Sequence, residues 1–423
     1  MSSLHEAEHE QTSALPEHRD QHSTPCYNVL KIAPTPFFAD YGCHVRIYEE
    51  TLALQKRGNR ITICTYHSGD DVGNLNICRA PVTPWRKPVQ IGSSMQKLQK
   101  LYYDGLLSAK CAEMAVRIKP DIIHAHMHEG ALIGFPFSKL CRAPLVFDFQ
   151  GSLTSEMLDH HFIERDSFFF RPLQRLEKTI NRMADAVITS SQNAADVLIE
   201  SFGYPPNKVH TVTDSVNTDV FLPRWLYRDQ SAIEAAKADL GIPSHRKVVV
   251  YLGLLAEYQG TFKLLDAARE LISRGLDVHF LIMGYPGEEH YRAAAMAMGI
   301  GNHVTFTGRV AYARAPLYLA LGDVAVSPKM SETEGNGKLL NYMGCALPTV
   351  SFDTPVAHEI LGPYGVYAKI GDSLDLADQL AGLLADQNLR LALGMALRER
   401  AAEEFSWDKA GEKILQVYAK VAR

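Results

Sequence analysis

Between Ser331 and Pro348 the chain places Glu334, Gly335, Asn336, Gly337 and Lys338 in direct succession, followed by Leu339 and Asn341. Two glycines one residue apart let a backbone bend closely round a ligand. A helix starting near Lys338 would aim its first N–H groups and its positive end at an anion. A phosphate suits that position: Lys338 adds a full charge, Glu334 can accept protons from sugar hydroxyls, and Asn341, one turn into the helix, can bond a ribose. Taken alone, the stretch also fits a Gly-rich surface turn with a solvated lysine.

A second group lies upstream. His124, His126 and His128 alternate, and Glu129 and Gly130 follow. In an extended strand, alternation sets all three imidazoles on one face. Three readings stay open: metal ligation, an acceptor cleft lined by His126, His128 or Glu129, and polar packing at a strand end. Beyond the next apolar run stand Asp148 and Gln150. An ionised Asp148 could stabilise positive charge that develops on a ligand. It could equally cap a helix or anchor a loop.

These groups need elements to hold them. Apolar runs at 27–33, 60–66, 122–125, 145–149, 186–189 and 209–212 read as strands, with a Pro/Gly loop through Gly42 and a helical pattern to Leu54 after the first. A charged, helix-prone segment at 228–240 precedes a second series at 248–252, 278–283, 304–306, 324–327 and 349–352, with helical patterns at 261–274 and 338–343. Alternating βα order predicts two doubly wound parallel sheets with a cleft between them. The pattern at 405–421 is amphipathic. Residues 1–25, rich in Glu, His, Gln and Ser without an apolar period, are expected to be disordered.

Length and composition limit the choice further. The 423 residues correspond to about three domains of ~150 residues or two of about 200. A net charge of −5 argues against nucleic-acid binding through many neutralised phosphates. Cys26, Cys43, Cys64, Cys78, Cys111, Cys141 and Cys345 are scattered and form no Cys-x-x-Cys pair, which reads as reduced thiols in a cytoplasmic protein. Neither a signal segment nor an apolar run of ~20 residues is visible.

In their order, these stretches resemble family 4 of the GT-B glycosyltransferases (glycosyl transferases group 1). Residues 331–348 are similar to that family's nucleotide-sugar signature, in which Glu, Gly, a second Glu, Met, Gly and Pro recur. Gly42 and the helix after it, Lys56 to Ile61, Pro120 to His126, Ala184 to Ser191 and Asp214 to Phe221 resemble successive first-domain motifs. Tyr251 to Gly253, Gln259 and Gly260, Val304 to Val310, and Phe405 to Trp407 do the same for the second domain.

The resemblance implies an α/β protein of the GT-B fold, two Rossmann-like doubly wound parallel-sheet domains facing across a cleft. Residues 26–222 would bind the acceptor and 223–400 the nucleotide, and a helix at 401–423 would cross back to the first domain. The reaction implied is transfer of a sugar from a nucleotide-diphosphate sugar to a hydroxyl acceptor, with retention, no cofactor and no metal. Glu334, Asp148 and His126 are the candidate catalytic residues. Gly253, Gly308, Arg309, Lys329, Gly335, Asn336, Gly337, Lys338, Leu339 and Asn341 are the candidate donor contacts. Gly42, His128, Glu129 and Gln150 lie on the acceptor side.

The chain also departs from the family. Leu254 and Gln259 stand where the family has the arginine and lysine that clamp the diphosphate. Lys329, Lys338 and, third, Arg309 are the candidate replacements, since a departing diphosphate needs electrostatic stabilisation. Asn341 replaces the second glutamate, one residue closer than usual, and Gln150 matches the family histidine. Tyr41, Gly42 and Cys43 replace the Gly-Gly of the opening loop. These departures favour a rival, a non-catalytic homologue that senses sugar nucleotides or serves in polysaccharide assembly. An epimerase or phosphorylase is a third reading. Basic residues over 97–119 and the aromatic run from Phe168 to Phe170 before Arg171 suggest peripheral contact with the inner face of a membrane, weighed against a solvated helix and a core-packed aromatic run.

Overall fold

The mainly apolar runs form parallel strands, of which the central ones are buried on both faces, as parallel sheets require. In this computed structural model residues 26–40, 42–73, 75–82, 97–159, 163–331 and 335–422 are described. The tail expected over 1–25, Tyr41 and the candidate Glu334 lie outside them. The first sheet comprises β1 (Asn28–Ala33), β2 (Arg60–Thr65), β3 (Asn76–Arg79), β4 (Ile122–His126), β5 (Leu145–Phe149), β6 (Ala186–Thr189) and β7 (Val209–Thr211). Its order is β3-β2-β1-β4-β5-β6-β7, parallel throughout.

The second sheet comprises β8 (Lys247–Leu252), β9 (Val278–Met283), β10 (Val304–Phe306), β11 (Val324–Ser327), β12 (Thr349–Phe352) and β13 (Val366–Ala368), in the order β10-β9-β8-β11-β12-β13. It too is parallel. This is the GT-B architecture of two doubly wound sheets. The edge strands β3 and β13 are not among the strands expected from the sequence: β3 has only Ile77 and Cys78 between polar ends, and β13 is only three residues long and half-buried.

In each sheet the strand order reverses once, between β1 and β4 and between β8 and β11. Loops leaving the carboxyl ends of neighbouring strands diverge at such a point and leave a crevice. The loops after β1, β8 and β11 carry the residues the sequence singled out.

The chain passes between the domains twice. Val216 and Phe221 already pack in a core of the second domain, so the first passage lies between Thr211 and Val216, earlier than residue 222. Phe405 shares that core, whereas Trp407 packs with Val29, Ile61 and Ile188 of the first domain. The backbone N–H of Val216 donates to the Phe405 carbonyl at 2.8 Å, so the passages run side by side. Ser406 caps the helix Trp407–Val421 by accepting from Lys409 N. That helix buries Ile414 and Tyr418 against the first domain; each fully buried apolar side chain contributes about 1.5–3 kcal/mol.

The aromatic run is not core-packed. Phe168 and Phe169 are 85% and 69% exposed. No helix among the described residues is long and apolar enough to cross a membrane.

Candidate functional site

The two switch points face one cavity of about 320 Å³. The first domain lines it with Asp40, Gly42, Cys43, Arg46, Asp214 and Ser215, and the second with Gly253, Leu254, Gln259, Lys329, residues 335–338 and Asn341.

Two glycines build the second-domain wall. Gly260 has φ +74°, and a Cβ there would stand 1.9 Å from the Pro328 carbonyl oxygen, so only glycine lets the loop after β8 lie on the segment after β11. That contact brings Gln259 to Lys338, whose Nζ donates to Gln259 Oε1 at 2.8 Å and stands 4.6 Å above the Tyr251 ring. A Cβ on Gly253, φ +152°, would lie 2.8 Å from the same Nζ. The ammonium of Lys338 therefore fills the space beside Gly253, Leu254 and Gln259, the neighbourhood of the two missing family cations. Lys329, 5% exposed, donates from Nζ to the Gly335 carbonyl at 2.8 Å.

The signature glycines line the cavity without a left-handed backbone. Neither Gly335 nor Gly337 adopts a positive φ. Both lie against Asp214: a Cβ on Gly335 or Gly337 would stand 3.4 or 3.3 Å from Asp214 Oδ2. Asn336 is 4% exposed, and its amide donates to Ser327 Oγ at 3.1 Å, which pins the loop to the end of β11. Leu339 is fully buried in the core, and its backbone N–H donates to Asn336 O at 3.0 Å.

On the opposite wall, Arg46 lies one turn into the helix Gly42–Lys56 and is 3% exposed. Its Nη2 donates to Asp148 Oδ1 at 2.9 Å and to Val212 O at 3.0 Å; its Nη1 donates to Asp214 Oδ1 at 2.9 Å, and its Nε lies 3.1 Å from Glu50 Oε1. Burial by itself would raise the Asp148 pKa, but Arg46 and His126 outweigh it and hold the carboxyl well below its usual range. Burial raises Asp214, and Arg46 only partly offsets this.

Asp148, fully buried and absent from the cavity lining, is thus an anchor rather than a group facing substrate. His126 Nδ1 bonds its Oδ2 at 2.8 Å, and Gln150 Nε2 donates to the same oxygen at 2.9 Å. Neither His126 nor Gln150 lines the cavity.

The three histidines do not share a face. β4 ends at His126, and a helix begins at Met127, so His128 leaves the strand. His124 and His126 stack with centroids 4.6 Å apart, while His128 packs edge-on against Phe147 and Phe149 on the other side, 3.5 Å from Glu177. Glu129 pairs with Lys100, whose charge outweighs burial and lowers the Glu129 pKa. These acceptor-side candidates are structural pairs outside the cavity lining.

Ligand atoms of Glu50, His124, His126 and Asp148 lie within 4.8 Å of one another. Lys31, wholly buried, donates to Glu50 at 3.1 Å, and Arg46 holds Asp148. A divalent ion would sit beside two buried cations, and the carboxylates already have their counter-charges. The set reads better as a charge-balanced network than as a metal centre.

Arg309 bonds Asp40 at 2.8 Å and Asp70 at 3.1 Å, bridging the domains at the edge of the cleft. It and Gly308 do not line the cavity, and its guanidinium is engaged by these two aspartates. The cavity does collect Gly42, Gly253, Lys329, Gly335, Asn336, Gly337, Lys338 and Asn341. Sequence reasoning missed the site roles of Arg46, Asp40 and Asp214. The available signal was Arg46 and Glu50 four apart on the inward face of a helix, where charge is unusual unless paired.

Known proteins share this family and fold. The family described as Glycosyltransferase Family 4 matches residues 42–220, and Glycosyl transferases group 1 matches residues 246–386. The D-inositol 3-phosphate glycosyltransferase of Corynebacterium diphtheriae is 27% identical over 74% of this chain and 73% of its own. The alpha-D-kanosaminyltransferase of Streptomyces kanamyceticus is 26% identical over 71% and 77%. Among solved structures, the sucrose-phosphate synthase of Thermosynechococcus elongatus superposes with a TM-score of 0.76 at 16% identity, covering 93% of this chain and 98% of that one. Anabaena Alr3699/HepE in complex with UDP and glucose gives 0.74 at 18% identity, covering 93% and 99%.

Proposed function

Since this chain belongs to the family 4 glycosyltransferases, the glycosyl transferases of group 1 with the GT-B fold, we propose that it moves a sugar from a nucleotide-diphosphate sugar to a hydroxyl acceptor within the cavity between its domains. The observation that carries the reading is the convergence of Lys329, Lys338 and the Gly335–Gly337 loop at the second switch point, opposite Arg46 and Asp214. Lys338 and Lys329 neutralise the diphosphate, and the protein does this most where charge develops on the leaving group. Asn341 lies deeper in the same wall and bonds a ribose hydroxyl.

HepE, a structural neighbour, was solved with UDP and with UDP-glucose, which makes uridine the first base to try. Retention and independence from metal are carried over from family membership. Lys31 and Arg46 already neutralise the buried carboxylates, which supports the second point. Glu334 remains the candidate for the sugar-facing carboxylate.

A thermal-shift screen against UDP-, ADP- and GDP-sugars tests the donor assignment: a ligand at one hundred times its dissociation constant adds about 2.7 kcal/mol. Silence across the panel defeats the reading. Binding without release of nucleoside diphosphate, across a broad acceptor panel, favours the non-catalytic homologue that Leu254 and Gln259 suggest. The exposed pair Phe168 and Phe169 beside Arg171 supports peripheral membrane contact, to be tested by sedimentation with anionic vesicles.

A further inference from the structure

Two carboxylates line the cavity among the described residues, and they differ in what they have left to offer. Asp40 is fully engaged: Oδ1 accepts from Tyr312 N at 2.7 Å and Oδ2 from Arg309 Nε at 2.8 Å. Asp214 accepts from Arg46 Nη1 through Oδ1 at 2.9 Å, and its Oδ2 takes no hydrogen bond from a described residue. The Asp214 side chain is 23% exposed. Its Oδ2 points at the Gly335–Gly337 loop, where Cβ atoms would stand 3.4 and 3.3 Å away. That is the junction at which a sugar held by the second domain must meet whatever the first domain presents to it.

The charge around Asp214 restricts what can approach. Lys31 and Arg46 face Glu50, Asp148 and Asp214, so the first-domain wall carries one negative charge more than its cations cancel. Arg46 is enclosed by three carboxylates and has no surplus charge for an anion. A carboxylate oxygen accepts hydrogen bonds and cannot donate them. It suits an O–H or N–H⁺ and disfavours a second phosphate, one on the acceptor, beside the diphosphate that Lys329 and Lys338 neutralise.

We infer that Asp214 is a specificity-determining residue whose Oδ2 accepts a hydrogen bond from the incoming acceptor, and that this acceptor is a hydroxyl compound carrying no phosphate near the reacting group, such as a neutral or amino sugar or a polyol. The inference rests on the transferase reading above. Arg46, locked by Asp148 behind it, fixes the carboxylate so that only Oδ2 reaches substrate. The hydroxyl bonded to Oδ2 lies beside the phosphate loop, in line to meet the sugar there.

The test uses the full chain, UDP-glucose and matched acceptors: myo-inositol against D-inositol 3-phosphate, and D-glucose against α-D-glucose 1-phosphate. The wild type is expected to use the phosphate-free member with at least tenfold higher kcat/KM. Asp214→Asn supplies an amide that donates as well as accepts, and should narrow that preference at least tenfold, chiefly through KM for the phosphate ester. Asp214→Ser, which removes the charge with a smaller side chain, should narrow it in the same direction if Asp214→Asn is poorly folded by calorimetry. Preference of the wild type for a phosphate ester, or an unchanged ratio in both variants, overturns the inference. Donor hydrolysis without acceptor is read in parallel. If hydrolysis persists while the acceptor preference is reversed, only this inference fails; if no nucleoside diphosphate is released from UDP-, ADP- or GDP-glucose under any condition, the transferase reading fails with it.

Discussion

Moving one positive charge between two positions tests the phosphate site most directly. Lys338 Nζ touches Gln259 Oε1 at 2.8 Å, so the ends of the two side chains meet at one point in space. A lysine at 259 would extend roughly one bond further than glutamine and place its ammonium close to the present one. At about 4 Å and an effective dielectric constant of about 20, a unit charge interacts with a phosphate charge by about 4 kcal/mol. Loss of one preorganised group at a developing charge costs about 2.7–4 kcal/mol, or about 10²–10³ in kcat. Lys338→Met should therefore lower kcat for release of UDP from UDP-glucose by about 10²–10³. Adding Gln259→Lys to that variant should restore at least about tenfold, equivalent to about 1.4 kcal/mol. UDP affinity from calorimetry should fall and recover in parallel. A single variant as fast as the wild type, or a double variant no better than the single, would refute the argument that the Lys338 ammonium stands in for the missing clamp.

Four further outcomes are expected. Arg309→Ala should change UDP affinity less than about threefold and stability by about 1 kcal/mol, since the guanidinium itself is exposed although Asp40 is largely covered; a hundredfold loss of affinity would return it to the donor site. Asp148→Ala should cost about 3–5 kcal/mol in urea unfolding by leaving a buried guanidinium short of its main partner, and a loss below 1 kcal/mol would show that Arg46 does not depend on it. Gly260→Ala should cost about 2–4 kcal/mol, from the strained φ and the clash with Pro328 O, and a wild-type melting temperature would contradict that packing. Burial, the largest cause at each, lowers the pKa of His44 to about 3, of His279 to about 4 and of His124 well below its ordinary value. The unfolded chain takes up protons near pH 6.5 and the native chain does not. Stability should therefore fall as pH drops below about 6.5, by about 2 kcal/mol per histidine between pH 7 and 5, and a urea midpoint that holds steady over that range would exclude it.

From the sequence alone came the elements whose burial is continuous. The runs that became β5, β6, β9, β11 and β12 are buried along their whole length and are mostly apolar, with only an occasional polar residue such as Asp148, His279 or Ser351, because a strand covered on both faces has no polar side to dilute the pattern. The ordering of those runs with helices fixed two doubly wound sheets, and the glycines and lysine of residues 335–338 marked the loop at the second switch point. Tertiary structure alone decided which charges are available. Asp148, His126 and Gln150 carry the right chemistry for a sugar site, yet Asp148 holds Arg46 while His126 and Gln150 bond Asp148, and no local pattern tells an anchoring carboxylate from one facing substrate. Lys338 and Gln259 lie seventy-nine positions apart, and only the seating of Gly260 on Pro328 brings them into contact. Propensity and periodicity act within a few residues along the chain. The electrostatics of the cleft come from loops of four or more strands meeting in space, and so became visible only once both sheets were in place.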